Sequence, residues 1–225
     1  MSTEDVHISA KFGILLSSKY SEIIRRYIIM TIVYKYLGLS TCRQKQNVER
    51  GLISGELWFS KFFDQNDPME GIFWHENGLE KVAKQITSNK NKYVICSFGS
   101  NAQNTLLWSY YANGFRGVCM GFEVDDKLSD ILVEPINYVR MSEFKEAVIN
   151  EKPPQEIAKE VITRKLDFWK KEGEKRLLKE AKSGFVKVGQ CTSLYFGMNI
   201  GKNELNEVIE YINCSDFRAS LKRAI

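Results

Sequence analysis

The chain reads as a single α+β domain with a mixed or antiparallel central sheet flanked by helices. Three observations predict this. Runs rich in β-branched and aromatic residues recur from Thr31 to Phe196 and carry strand character. Between them lie segments whose apolar residues recur at helical spacing. With 225 residues, 44% of them apolar, the chain is long enough to bury one substantial core.

Residues 1–30 read as an N-terminal helical extension, in which Ser21 caps an amphipathic helix through Ile28, and residues 31–225 as the α+β domain. Thr31–Leu37 predicts a strand, Gln44–Gly55 a helix stopped by its glycine, and Glu56–Ser60 a second strand. Asn66-Asp67-Pro68 predicts a turn, because Asn and Asp side chains bond neighbouring backbone and proline fixes the chain direction. A surface helix and its exit follow over Glu80–Lys92, then an almost wholly apolar strand to Phe98, expected at the centre of the sheet. Leu106–Tyr111 fits a short helix or a strand, and Val118–Glu123 fits a strand. Asp125–Asp130 reads as a loop, and Ile136–Val139 as a short strand. After the Pro153-Pro154 break, Gln155–Trp169 predicts one helix with a buried stripe. Lys170–Lys182 has helical propensity interrupted by Gly173; if it is extended, period two puts Glu172, Glu174 and Arg176 on one face. Val186–Phe196 adds strand material, and Asn203–Ile212 a closing helix.

The densest stretch runs from Asn104 to Phe122, where two apolar runs flank the Asn113-Gly114 turn. Ser109, Tyr110, Asn113 and Arg116 lie among residues expected to be buried, so they need partners or a ligand. The net charge of +4, from 32 basic and 28 acidic side chains spread along the chain, does not diagnose nucleic-acid binding. Five cysteines without a C-x-x-C pair, and only two histidines, speak against a zinc site and for reduced thiols. No apolar run approaches the roughly 20 residues that span a bilayer, and no signal pattern opens the chain. A cytoplasmic location without membrane contact is expected.

The phosphate-binding G-x-x-x-x-G-K-S/T loop, the dinucleotide G-x-G-x-x-G and the hydrolase G-x-S-x-G are all missing. What remains are carboxylates, aromatics and arginines. Trp169, Glu172, Glu174 and Arg176 combine an aromatic platform, two like charges and a guanidinium that steadies one of them.

The order L-W-F-S (Leu57–Ser60), N-D-P (Asn66–Pro68), I-C-S-F (Ile95–Phe98), L-x-W-S-x-Y-A (Leu106–Ala112), G-V-C-M-G-F (Gly117–Phe122), W-x-x-E-x-E-x-R (Trp169–Arg176) and Y-F-G (Tyr195–Gly197) resembles the bacterial family filed as domain of unknown function 2971. The resemblance covers residues about 31–200. Tyr110 stands where that family usually has histidine and Lys171 where it has an aromatic, so no histidine base is carried over. Its members lie in mobile and defence islands, which implies a toxin or antiviral effector by association. The layout is also similar to that of ADP-ribosyltransferases, and this similarity implies NAD as co-substrate and a protein or nucleic-acid acceptor, or a defence-system partner. It implies that Glu174 stabilises the oxocarbenium-like cation formed on breaking the nicotinamide–ribose bond, while Glu172 orients the acceptor. Tyr34 or Tyr36 would line the nicotinamide side, Ser60 would contact the cofactor, and Arg116 would pair with the pyrophosphate. A competing reading is a non-catalytic nucleotide- or partner-binding pocket built from Asn66, Asp67, Ser109, Tyr110 and the neighbouring aromatics. A third is a nuclease holding magnesium on Asp64, Asp67, Glu172 and Glu174.

Overall fold

In the computed structural model, residues 32–124, 130–144, 152–215 and the backbone of 147–148 and 220–223 are described. The expected extension over residues 1–30, with its Ser21–Ile28 helix, and the loop over 125–129 lie outside the described residues.

The first strand, β1 (Ile32–Leu37), enters helix α1 (Cys42–Ile53) through Thr41. The Thr41 hydroxyl accepts the Gln44 N–H while the Gln44 side chain accepts the Thr41 N–H, a reciprocal cap that meets two helix-end donors at once. Then come β2 (Glu56–Phe59), β3 (Trp74–His75), α2 (Glu80–Lys90) and β4 (Tyr93–Gly99). The central stretch forms α3 (Thr105–Tyr111) and β5 (Val118–Val124). Its turn holds Asn113, Gly114 and Phe115 at left-handed φ of 50°, 63° and 66°. Next are β6 (Ile131–Pro135), β7 (Asn137–Val139), α4 (Met141–Phe144) and β8 (Ala147–Val148). The chain closes with α5 (Pro154–Ile162), β9 (Arg164–Leu166), β10 (Glu174–Glu180), β11 (Gly184–Lys187), β12 (Gly189–Phe196), α6 (Lys202–Asn213) and β13 (Ser220–Arg223).

Seven strands form the main sheet in the order β13-β12-β5-β1-β4-β10-β6. All neighbours are antiparallel except the parallel edge pair β12–β13, so the sheet is mixed and β4 is internal, as its apolar sequence predicts. One face packs Val33, Val94, Met120, Phe122, Leu177 and Leu194 against Val48 and Leu52 of α1 and Val208 of α6. The opposite face meets Leu107 and Trp108 of α3 beside Tyr36 and Cys119, and α5, whose Ile162 packs on Ile95 and Leu178. Residues 31–225 form one compact unit. No helix of the described residues is long and apolar enough to cross a membrane. Cys96, Cys119 and Cys191 are buried free thiols, while Cys42 and Cys214 are free and exposed.

The single helix expected over Gln155–Trp169 is a misreading. Its helix ends at Ile162, with Thr163 bonding back to the Lys159 carbonyl; β9 and a 3-10 turn over Asp167–Glu172 follow. The apolar residues at helical spacing are divided among three short elements: α5 and β9 bury Ile157, Val161, Ile162 and Leu166, while Phe168 in the 3-10 turn is exposed. Lys170–Lys182 is extended from Glu174 onward, and Val186–Phe196 splits between β11 and β12.

Gly117 enters β5 against β1, and a Cβ built there would stand 2.0 Å from the Leu37 carbonyl oxygen. The obstacle is backbone, so β1 itself must shift to make room. Gly117→Ala should destabilise the fold by roughly 1–3 kcal/mol, read from its urea unfolding midpoint.

Candidate functional site

A cavity of about 180 Å³ opens where the sheet divides. Strand β1 matches β5 at six consecutive positions, yet it meets β4 at one, Tyr34 opposite Gly99. Beyond that pair the strands part, and the Lys35 ammonium reaches across to the Ser97 carbonyl, 2.8 Å away, which a ladder would otherwise satisfy. Tyr34, Lys35 and Tyr36 line one side of the opening and Ser97, Phe98 and Gly99 the other. The loop from Asp64 to Glu70 forms a third wall. It is shaped by Asp67, whose carboxylate accepts the Met69 N–H at 2.9 Å and whose carbonyl accepts that of Glu70. This is the Asx turn that the Asn66-Asp67-Pro68 sequence predicts.

The floor is a buried charge cluster. Glu172, Glu174, Lys165, Arg176 and Glu70 are each no more than 8% exposed. The Lys165 ammonium donates to Glu172 Oε2 at 2.8 Å and to Glu174 Oε2 at 3.0 Å, and lies 4.9 Å from the centre of the Trp169 ring. Arg176 Nε donates to Glu174 Oε1 at 2.8 Å, its Nη2 to Glu70 Oε1, and its Nη1 to the Ile162 carbonyl. The Tyr111 hydroxyl donates to Glu172 Oε1 at 3.1 Å. Gly173, at φ 56°, turns the chain between the two glutamates, and a side chain there would crowd the Ser100 hydroxyl. Asn104 ties this turn to the central stretch. Its side-chain oxygen caps α3 through the Leu106 and Leu107 N–H groups, and its Nδ2 donates to the carbonyls of Lys171 and Glu172 at 2.7 and 3.2 Å. The acidic segment therefore folds back beside the aromatic one.

Burial alone would raise the Glu174 pKa, but the charges of Arg176 and Lys165 and hydrogen bonds from Arg176 and Ser97 outweigh it and hold the carboxyl down at about 2. For Glu70 burial wins over the pull of Arg176, so its pKa is raised. Burial disfavours the charged Lys165, yet Glu174 and Glu172 more than compensate and raise it. Burial, then the charge of Glu172, raises Tyr111.

Of the residues singled out in the sequence, Tyr34, Tyr36, Asn66, Asp67, Glu172 and Glu174 line the cavity, with Trp169 and Arg176 supporting its floor. Four do not reach it. Ser109 and Tyr110, the latter 62% exposed, face outward, because helical periodicity turns Leu107, Trp108 and Tyr111 inward instead, and Arg116, in the turn that follows α3, is exposed as well. Ser60 pairs with Ile95 outside the lining, and its hydroxyl accepts from Gln65 Nε2 at 2.9 Å, bracing a residue that does line it. Lys165, Glu70 and Ser97 were missed, while Tyr111, one of the aromatics of the binding-pocket reading, does line the cavity. Lys165 sat inside the supposed helix and Glu70 followed a turn, so neither position signalled burial; Tyr111 was legible from the spacing of Leu107 and Trp108.

Among the described residues no three His, Cys, Asp or Glu side chains gather to hold a metal ion. Lys165 occupies the space between Glu172 and Glu174 where a nuclease would place its cation. Comparison of the chain with protein-family models, curated proteins and solved structures gives no match. The fold and cavity define the class: an α+β protein with a split sheet and an acidic, tyrosine-lined pocket.

Removing one partner of a buried ion pair strands the other. Lys165→Met should cost about 3–5 kcal/mol, and adding Glu172→Gln should recover a large part by removing the stranded charge, both read by urea unfolding. The acid response has a defined sign. The folded pKa of Glu174 lies below the ordinary 4.5, so it contributes stability above that pH and loses it as pH falls towards about 2. Its share is about 3 kcal/mol, partly offset by Glu70, which binds its proton more readily in the folded chain. Unfolding at pH 7 and pH 3 should show the loss, and Glu174→Gln should start less stable and change less.

Proposed function

We propose that the chain cleaves NAD at its nicotinamide–ribose bond and passes ADP-ribose to a protein or nucleic-acid acceptor, or to water, as a toxin or antiviral effector of bacteria. The observation that carries this reading is Glu174: a carboxylate held ionised, 8% exposed, in the wall of a cavity between tyrosines. Breaking the bond releases neutral nicotinamide with the bonding electron pair and leaves a cation on the ribose. A fixed negative charge in a water-poor site stabilises that cation more than it stabilises the bound starting molecule. Five carboxylates on the cavity wall, facing Lys35 and Lys165, also suit the positively charged nicotinamide ring and let go of the neutral product. At about 180 Å³ the cavity falls below the ~300–1,000 Å³ of a site enclosing a drug-sized molecule, so it takes the nicotinamide–ribose end and leaves the adenosine outside. The resemblance of the motif order to domain of unknown function 2971 supports the defence context by association.

A second reading has one observation in its favour. Both oxygens of Glu174 already accept hydrogen bonds, from Arg176 and Lys165, as suits a pocket that binds a nucleotide or partner without chemistry. The two readings part on one experiment. Purified protein incubated with NAD should release nicotinamide, detected by chromatography, and Glu174→Gln should slow release about 10²–10³-fold, with no effect of a chelator. Binding of NAD by calorimetry without release selects the binding module, and neither binding nor modification of any cell component rejects both NAD-based readings.

A further inference from the structure

We infer that Glu70 reads the leaving group of the bound molecule, accepting a hydrogen bond from a carboxamide N–H and turning away a carboxylate in the same place. The inference rests on the NAD reading and adds a specificity residue to it. In the floor of the cavity, Glu172 Oε1 accepts from Tyr111 and its Oε2 from Lys165, while Glu174 Oε1 accepts from Arg176 and its Oε2 from Lys165. Glu70 Oε1 takes Arg176 Nη2, but Glu70 Oε2 is buried with no hydrogen-bond partner among the described residues. The side chain is 4% exposed and borders the cavity. A buried carboxylate oxygen that the fold leaves unmet is rare, because the cost of taking it out of water is not returned.

Charge balance in the fold does not require this oxygen to stay open. Arg176 is already held by Glu174, and Lys165 donates to Glu172 and Glu174 with Glu70 Oε1 more distant at 3.9 Å, so Glu70 is the third acid sharing two buried cations, and both reach it through Oε1. Surplus acceptor capacity beside a cavity suits a ligand that brings donors. The last torsion of a glutamate is broad, so a small turn of the carboxyl presents Oε2 to the cavity at little cost while Oε1 stays near Arg176. Nicotinamide offers an N–H at its carboxamide. Nicotinate, the same ring with a carboxylate, offers only a like charge, which a buried glutamate repels.

The test uses the full chain with NAD and with its deamido form, which carries a carboxylate in place of the carboxamide, titrated by calorimetry. Wild type should bind NAD at least about tenfold more tightly. Glu70→Gln keeps an oxygen for Arg176 and puts an amino group where Oε2 stands, so the preference should shrink or invert. Equal binding of both dinucleotides by wild type, or an unchanged ratio in Glu70→Gln, overturns the role of Glu70 and leaves the NAD reading standing. Binding of neither by wild type overturns both. If the melting temperature shows that Glu70→Gln has not folded, competition of nicotinamide and nicotinate for NAD binding to wild type decides: nicotinamide alone should compete, and equal competition rejects the assignment.

Discussion

Glu172 and Glu174 stand two residues apart, both removed from water, and the same lysine ammonium touches both of them. Without Lys165 the two negative charges would face each other across a low-dielectric cavity and one would have to take up a proton. With it, Glu174 stays ionised and Glu172 is fixed by Tyr111 on its other oxygen. The constraint propagates outward. To deliver an ammonium to this point, the chain must end α5 at Ile162 and run extended through β9, whose pairing with β7 sets the register at Tyr138 opposite Lys165. The Tyr138 hydroxyl in turn accepts the Glu174 N–H at 2.8 Å, closing the loop of constraints.

The division of the sheet is the other half of the design. A continuous β1–β4 ladder would place backbone where the cavity now lies. One pair, Tyr34 with Gly99, keeps the two halves in register, and Lys35 satisfies a carbonyl that the parting leaves open. Tyr36 holds the far end: its hydroxyl donates to the Asn101 carbonyl and accepts the Asn104 N–H. Asn104 then reaches the acidic turn, so the split, the aromatic helix and the charge cluster are braced by one short chain of polar contacts.

How far the sequence revealed this depends on which physical signal each part carries. β1, α1, β4 and α6 were legible because a strand or helix period, a cap or an apolar run marks each one locally. Glu174 and Arg176 were legible as a same-face pair once Gly173 ruled against a continuous helix. Lys165 was not, since a lysine among Thr163, Arg164 and Leu166 reads as a solvated helix face, and its burial follows only from carboxylates seven and nine positions further on. Ser109, Tyr110 and Arg116 attracted attention by their polar character in an apolar stretch, but the period of α3 points Ser109 and Tyr110 to water. Polar type marked candidates, and only the three-dimensional path of the chain decided among them.

Stability does not account for five ionised or ionisable side chains in one buried patch. Desolvating charges is costly, and well-packed apolar residues in place of a buried ion network are often neutral or stabilising. Nor is the patch a remnant of surface, because Arg176 is 0% exposed and lies on a strand whose next same-face neighbour, Leu178, belongs to the core. Such a cluster keeps its dipoles and charges in place before any molecule arrives, and a site of that kind spends no energy reorienting them when charge develops. The contacts from Lys165 and Arg176 are therefore read as the means by which Glu174 remains a carboxylate in a place that would otherwise protonate it. The ion pairs that occupy both of its oxygens keep Glu174 ionised and fixed in place inside the cavity.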